Sequence, residues 1–218
     1  MSNNIETELK YLLNRESFHS LYRYLRQKKY KCKLTRQVNY YFLAPDYPPS
    51  LGLFSTRIRF IQDARKGKWE LTCKVSLGES VEGSVQNSYE YNAHISHENA
   101  LNYISHGLPE QVQKELLGDL NEIHGIPMMD FHCIGHLRTS RFSFGVRDDL
   151  PPILLDVNSY LGVFDYEIEW ELKETDKADT LLQGIFNELE IQPAARMMPK
   201  VRRFYDRLIE LDNSFISV

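Results

Sequence analysis

The chain has 218 residues, of which 42% are hydrophobic and 26% are charged, and its formal net charge is −4. This balance argues against a protein that wraps nucleic acid, and three separated cysteines without a CxxC pair argue against a disulfide framework or a zinc knuckle. Because no apolar run approaches the ~20 residues of a membrane-spanning helix and no export signal is visible, we expect a cytoplasmic protein. Since no linker or low-complexity tract marks a boundary, we expect a single domain over residues 1–218.

The first predicted element is a strand over residues 5–10, in which polar and less polar side chains alternate strictly. Successive side chains of a strand point to opposite faces, so Glu6, Glu8 and Lys10 share one face. Neighbouring carboxylates on one face of a strand repel each other unless positive charge lies between them. The pattern therefore raises the question of which positive charge lies between these carboxylates.

Helical and strand patterns alternate along the remaining chain. Apolar residues at helical spacing predict helices over residues 15–29, 96–105, 109–124, 176–190 and 199–211, with Ser96 as an N-cap. Two-residue alternation predicts further strands over residues 38–43, 55–62, 69–76, 89–95, 131–146, 153–157 and 165–173. We expect a hairpin at 63–68, loops at 44–50 and 78–88, a bend or register shift within 131–146, and a turn containing Asn158 and Gly162. Eight strands with helices at intervals predict an α+β fold built on one antiparallel sheet.

Charge is sorted by strand in this sequence. Glu167, Glu169 and Glu171 share one face of their strand, whereas Arg57 and Arg59 share one face of another. Sorted charge indicates a site that holds both a cation and an anion, because Mg²⁺ and Mn²⁺ prefer oxygen ligands and polyphosphate is bound by arginine and lysine. If the apolar faces pack outward against helices, the sheet closes into a barrel with charge inside.

These charged stretches resemble the CYTH superfamily of triphosphate tunnel metalloenzymes. The opening residues resemble its ExExK strand, and later stretches resemble its RxR, TxK, LDxN, DYExE and KxxRF motifs in order. The matching stretches are Glu6 to Lys10, Arg57 to Arg59, Thr72 to Lys74, Leu155 to Asn158, Asp165 to Glu169 and Lys200 to Phe204; Tyr41-Phe42 with Pro45-Asp46 and the segment Gly135 to Arg141 add two further matches. The chain departs from the family at Leu43-Ala44, where Asp-Thr is usual, and at Asn92, where many members have a second acid.

The resemblance implies an eight-stranded antiparallel tunnel barrel with a charged interior, flanked by helices, and metal-dependent chemistry on a triphosphate. It implies that Mg²⁺ or Mn²⁺ is held by Glu6, Glu8, Glu90, Asp156, Glu167 and Glu169. It implies that the triphosphate is gripped, and its reaction promoted, by Lys10, Arg57, Arg59, Lys74, Arg141, Lys200 and Arg203. The expected partner is a small-molecule triphosphate, with no nucleic acid or membrane, and the oligomeric state is open.

Three functions stay open at the level of sequence. The first is hydrolysis of inorganic triphosphate or of a small organic triphosphate such as thiamine triphosphate. The second is a class IV-type adenylate cyclase, in which the ribose 3′-hydroxyl replaces water as the nucleophile. The third is a polyphosphate- or nucleotide-binding module without catalysis. The set of paired acids favours an enzyme, because a module that binds only anions needs bases more than metal ligands.

Overall fold

The computed structural model describes residues 2–44, 54–63, 66–79, 85–115, 130–171, 175–194 and 198–216. Its eight strands are β1 (Ser2–Leu13), β2 (Lys31–Leu43), β3 (Phe54–Asp63), β4 (Lys66–Glu79), β5 (Val85–Ile95), β6 (His132–Gly145), β7 (Ile153–Tyr160) and β8 (Val163–Glu171). Its helices are α1 (Arg15–Gln27), α2 (His97–His106), α3 (Thr175–Glu188) and α4 (Lys200–Ile216), with a further helical stretch at residues 110–115.

The strands form a closed antiparallel ring in the order β1-β5-β4-β3-β2-β6-β7-β8. This confirms the predicted α+β fold with eight antiparallel strands. No helix in the described part of the chain is long and apolar enough to cross a membrane.

The apolar core lies outside the ring, between the sheet and the helices. One cluster joins α1 and α3 to the outer faces of β1 and β6 to β8, and it includes Leu21, Trp170 and Phe186. A second cluster joins α2 to β2 through β5, and it includes Ile58 and Leu71. Because alternate side chains of these strands face outward into apolar packing, the charged side chains between them face the interior.

Strands β2 and β5 begin earlier in the chain than the sequence pattern predicts. β2 begins at Lys31 and not at residue 38. Its first half carries no apolar pattern, but it pairs with β6 from Lys31 and also with β3 from Thr35. β5 begins at Val85, so the predicted loop over 78–88 is too long. Residues 110–115 confirm part of the helix predicted at 109–124, whereas 116–129 lie outside the described residues, as do residues 45–50 of the predicted loop.

Other local predictions are confirmed. The Ser96 side chain accepts a hydrogen bond from the Asn99 amide at 3.0 Å and caps α2. The turn between β7 and β8 consists of Leu161 and Gly162, both with positive φ, as a tight hairpin requires. The predicted turn residue Asn158 instead lies within β7 and faces the interior.

The expected irregularity of the long strand occurs at Gly135. The pairing of β6 with β2 shifts in register between Tyr41 and Phe42, and Gly135 has a φ of 137°. A Cβ atom at Gly135 would lie 2.8 Å from Cζ of Phe204, a residue of α4 that is fully buried. Gly135 therefore lets helix α4 pack closely against the ring.

We predict that Gly135→Ala destabilises the protein by about 1–3 kcal/mol, because alanine is strained at this φ and its Cβ displaces Phe204. Thermal unfolding followed by circular dichroism should show a melting temperature lower by several degrees. Gly145→Ala is the matched control, since a Cβ at this position of the same strand has no neighbour within 4 Å. Equal melting temperatures for the two variants would contradict the role of Gly135 in the packing of helix α4.

Candidate functional site

Three carboxylates converge inside the ring on β7 and β8. Asp156 lies directly opposite Glu167, and Glu169 follows two positions later on the same face. Ligand oxygens of the three residues lie within 4.8 Å of one another, and the side chains of Asp156 and Glu167 are 0% exposed. Clustered carboxylate oxygens are the donors that Mg²⁺ and Mn²⁺ prefer, so these residues fit a hard divalent cation.

Cations from β6 and α4 neutralise these acids. Arg141 binds Asp156 in bidentate fashion, with distances of 2.9 Å from Nε and 2.7 Å from Nη2, and it also pairs with Glu169. Lys200 Nζ lies 2.6 Å from Asp156 and 3.0 Å from Glu169, and it also pairs with Glu167. The lysine ammonium thus occupies the centre of the carboxylate cluster.

The opening strand completes the network. Lys10 Nζ lies 2.9 Å from Glu8 and 3.1 Å from Glu169, and Lys74 Nζ lies 3.2 Å from Glu8. The positive charge that relieves the repulsion on β1 therefore includes a lysine of β1 itself and one of β4. The backbone of Glu6 pairs with Ser88 of β5, but its side chain lies outside the described ones.

These ion pairs decide the charge state of the buried acids. Burial by itself would raise the pKa of Glu8 and of Glu169, but the nearby lysines outweigh burial and bring both pKa values below the ordinary range. For Glu167, burial is likewise outweighed by Lys200 and Arg203, and its pKa falls to about 2. Glu8, Glu167 and Glu169 are therefore ionised near neutral pH, as metal coordination requires.

The wall formed by β3 has the opposite electrostatic character. Arg57 Nη2 lies 3.1 Å from Glu90, whereas Arg59 Nε donates to the neutral amide oxygen of Asn39 at 2.8 Å. Burial, together with repulsion from Arg57 and Arg141, lowers the pKa of Arg59 to about 10. A guanidinium in this position is short of negative charge, so this wall fits an anion.

The unmet hydrogen-bonding capacity of the described residues is concentrated in the same space. The buried side-chain atoms without a hydrogen-bond partner there are Tyr41 OH, Arg57 Nε, Ser88 Oγ, Arg203 Nε and Arg203 Nη1. Arg203 Nη2 lies 2.8 Å from Glu167, and Arg203 Nε lies 3.2 Å from Asp165 without the alignment of a hydrogen bond. Buried donors are normally satisfied, so their concentration in the interior fits an anionic ligand with many acceptor oxygens.

The structure brings the predicted site residues together inside the ring, apart from Glu6, whose side chain is not described. They are Glu8, Lys10, Arg57, Arg59, Lys74, Glu90, Arg141, Asp156, Glu167, Glu169, Lys200 and Arg203. Their roles toward a metal and a triphosphate stay predictions. Asn92, which departs from the family pattern, accepts a hydrogen bond from Thr72 at 2.8 Å.

Sequence reasoning missed several neutral residues of the interior. Asn39 and Tyr41 lie on the inward face of β2, which strand alternation within residues 38–43 could have indicated. The sequence pattern predicts a loop at Ser88, but Ser88 is a buried residue of β5. Asn158 donates to Asp165 at 2.8 Å and to Glu167 at 3.2 Å, so its amide orients the carboxylates.

Comparison with known proteins identifies a family that matches nearly the whole chain. The family model described as the CYTH domain matches residues 4–205. None of the curated proteins compared with the chain matches it.

Two solved structures illustrate the structural similarity. HpAC1 from Hippeastrum, a proposed adenylyl cyclase with a dominant triphosphatase activity, is 22% identical with a TM-score of 0.75, and the match covers 91% of this chain and 94% of that one. A proposed adenylate cyclase from Bacillus halodurans is 27% identical with a TM-score of 0.69, and the match covers 94% of this chain and 100% of that one. The fold described above is therefore the CYTH tunnel fold.

We predict that Lys200→Met lowers the free energy of unfolding by about 3 kcal/mol or more in EDTA, because Asp156, Glu167 and Glu169 lose a shared cation. Mn²⁺ should restore much of this loss, since a divalent cation can take the place of the ammonium. The expected observation is a larger rise in melting temperature with Mn²⁺ for the variant than for the wild type. Lys68→Met, which removes an exposed lysine paired with Glu70, is the control. An equal effect of Mn²⁺ on all three proteins would refute a cation site at this cluster.

Proposed function

The chain belongs to the CYTH domain family, and from that premise we propose that it is a divalent-cation-dependent triphosphatase acting on inorganic triphosphate or a small organic triphosphate. The observation that carries the proposal is the sorting of charge inside the ring. Asp156, Glu167 and Glu169 cluster on one wall, and Arg57 with the under-neutralised Arg59 lies on another. A metal–triphosphate complex presents both a cation and an anion, so it complements both walls.

The proposed ligands divide by charge. The cation, Mg²⁺ or Mn²⁺, would be held by Glu6, Glu8, Glu90, Asp156, Glu167 and Glu169. The phosphate oxygens would be held by Lys10, Arg57, Arg59, Lys74, Arg141, Lys200 and Arg203. Arginine suits this task because its planar fork binds two oxygens at once, and lysine supplies a compact charge.

In the proposed reaction, a water oxygen forms a bond to the terminal phosphorus as the bond from that phosphorus to its bridging oxygen breaks. The products are orthophosphate and pyrophosphate when the substrate is inorganic triphosphate. A divalent cation held by the carboxylates would neutralise charge on the phosphate oxygens and would make a water molecule a better nucleophile. Arg57, Arg59 and Arg203 stabilise the negative charge that develops on the phosphoryl oxygens, and burial inside the ring strengthens that effect.

Hydrolysis is favoured over the alternatives for two reasons. HpAC1, which shares the fold, has a dominant triphosphatase activity. A module that binds only anions would gain nothing from three buried carboxylates, because removing carboxylates from water costs free energy. Cyclisation of ATP is the second candidate, favoured by the similarity to the proposed adenylate cyclase from Bacillus halodurans.

We predict that Glu169→Gln lowers kcat/KM for tripolyphosphate in Mg²⁺ by at least about 100-fold, because the neutral amide cannot replace a charged oxygen ligand. The far-ultraviolet circular dichroism spectrum should stay that of the wild type. Glu98→Gln, on the exposed first turn of α2, is the control and should keep wild-type activity. Full activity of Glu169→Gln would exclude the proposed metal site.

A product assay separates the proposed reactions. The protein is incubated with tripolyphosphate, ATP or thiamine triphosphate, each with Mg²⁺ or Mn²⁺. Release of orthophosphate supports the triphosphatase, whereas cyclic AMP together with pyrophosphate supports the cyclase. Tight binding without any product would support a binding module instead.

A further inference from the structure

Tyr41 carries a buried hydroxyl group with an unmet hydrogen bond. The residue is 1% exposed and lies on the inward face of β2. Its hydroxyl has no hydrogen-bond partner among the residues that the structure describes. Burying a hydroxyl without a partner costs free energy, and buried side-chain polar groups in folded proteins are mostly hydrogen-bonded. The position therefore calls for a specific explanation.

The surroundings of this hydroxyl are cationic. Tyr41 lies directly opposite Arg57 of β3, and two positions earlier on the same face Asn39 accepts from Arg59. The positive charges of Arg57, Lys200, Arg59 and Arg203 all act on the Tyr41 hydroxyl. Guanidinium and ammonium groups donate hydrogen bonds and cannot accept them. The partner that could accept from the hydroxyl is therefore a group brought into this cationic region, and an anion is the group such a region attracts.

The ring of Tyr41 is held in place independently of any ligand. It packs against Phe204 of α4 with ring centroids 5.5 Å apart. Phe204 in turn occupies the space left by the missing side chain of Gly135, which pairs with Tyr41 across the β2–β6 ladder. The aromatic packing fixes the direction of the phenol, so its hydroxyl meets a ligand without a loss of rotational freedom.

We propose that the Tyr41 hydroxyl donates a hydrogen bond to a phosphate oxygen of the bound triphosphate, which makes Tyr41 a neutral substrate-binding residue beside the arginines and lysines. The inference rests on the proposed function, because it requires a triphosphate in the ring. It adds to that function a contact that does not depend on charge. It also accounts for the unpartnered buried hydroxyl, whose cost in the unliganded protein is recovered when the ligand binds.

The test is Tyr41→Phe, which removes the hydroxyl alone. Binding of diimidotriphosphate, a hydrolysis-resistant analogue with NH in place of the bridging oxygens, is measured by calorimetry in Mg²⁺. We expect the dissociation constant to rise by about tenfold or more, as for loss of a hydrogen bond to a charged group. The melting temperature without ligand should stay the same or rise, because the variant no longer buries an unpartnered hydroxyl. Tyr40→Phe is the matched control. Tyr40 directly precedes Tyr41 but lies on the outward face of β2, beside Trp69, so its change should leave binding unchanged.

The outcomes separate this inference from the function on which it rests. If the wild type binds the analogue and Tyr41→Phe binds it equally well, the inference is wrong while the proposed function stands. If the wild type neither binds the analogue nor hydrolyses tripolyphosphate, both are wrong. A Tyr41→Phe variant with a clearly lower melting temperature and unchanged affinity would show that the hydroxyl serves the fold alone. Weaker binding with undiminished stability establishes the contact.

Discussion

Charge enclosed by a ring of strands is the constraint on which the rest of this structure depends. A wholly buried carboxylate such as that of Glu167 would take up a proton unless cations lay beside it. Arg141, Lys200 and Arg203 meet that need, but buried ion pairs return little net stability once desolvation is counted. The free energy that holds the ring together must therefore come mainly from the apolar outer face. This explains why helices cover β1 and β8 with residues such as those of the first core cluster.

The cations inside the ring neutralise the acids in different ways. This difference would link binding of the proposed divalent cation to binding of the proposed anion. Arg141 is fixed to Asp156 by two hydrogen bonds, whereas Lys200 holds Asp156, Glu167 and Glu169 as a flexible point charge. A divalent cation at the carboxylates would compete with that ammonium. An anion bound nearby would offer the displaced ammonium a new partner, so each proposed ligand would lower the cost of binding the other. Coupled binding of this kind is reciprocal.

Strand alternation in the sequence was enough to predict the inside-out arrangement, because Glu8, Lys10 and Glu169 each alternate with apolar residues that pack outside. It was not enough where both faces of a strand are polar. Residues 31–37 of β2 have no apolar pattern, and only pairing with β6, together with β3 from Thr35 onward, makes them a strand. Ser88 was missed for the same reason, since its role follows from its position in the ladder and not from its neighbours in sequence. Neutral side chains gave no charge pattern to follow, which is why Asn39 and Tyr41 were assigned no place in the interior from the sequence.

Helix α4 joins the electrostatics of the interior to the packing of the fold. Lys200, Arg203 and Phe204 are spaced at i, i+3 and i+4, so one face of the helix presents two cations and an aromatic ring to the barrel. Phe204 packs against Tyr41 and fills the space at Gly135, while the cations reach Asp156 and Glu167. Helix α4 therefore contributes both apolar packing against the ring and positive charge to the buried acids. The aromatic contact and the ion pairs both form only when α4 packs against the ring. The sequence pattern therefore predicts that α4 is a helix, but its contribution to the interior depends on where it packs.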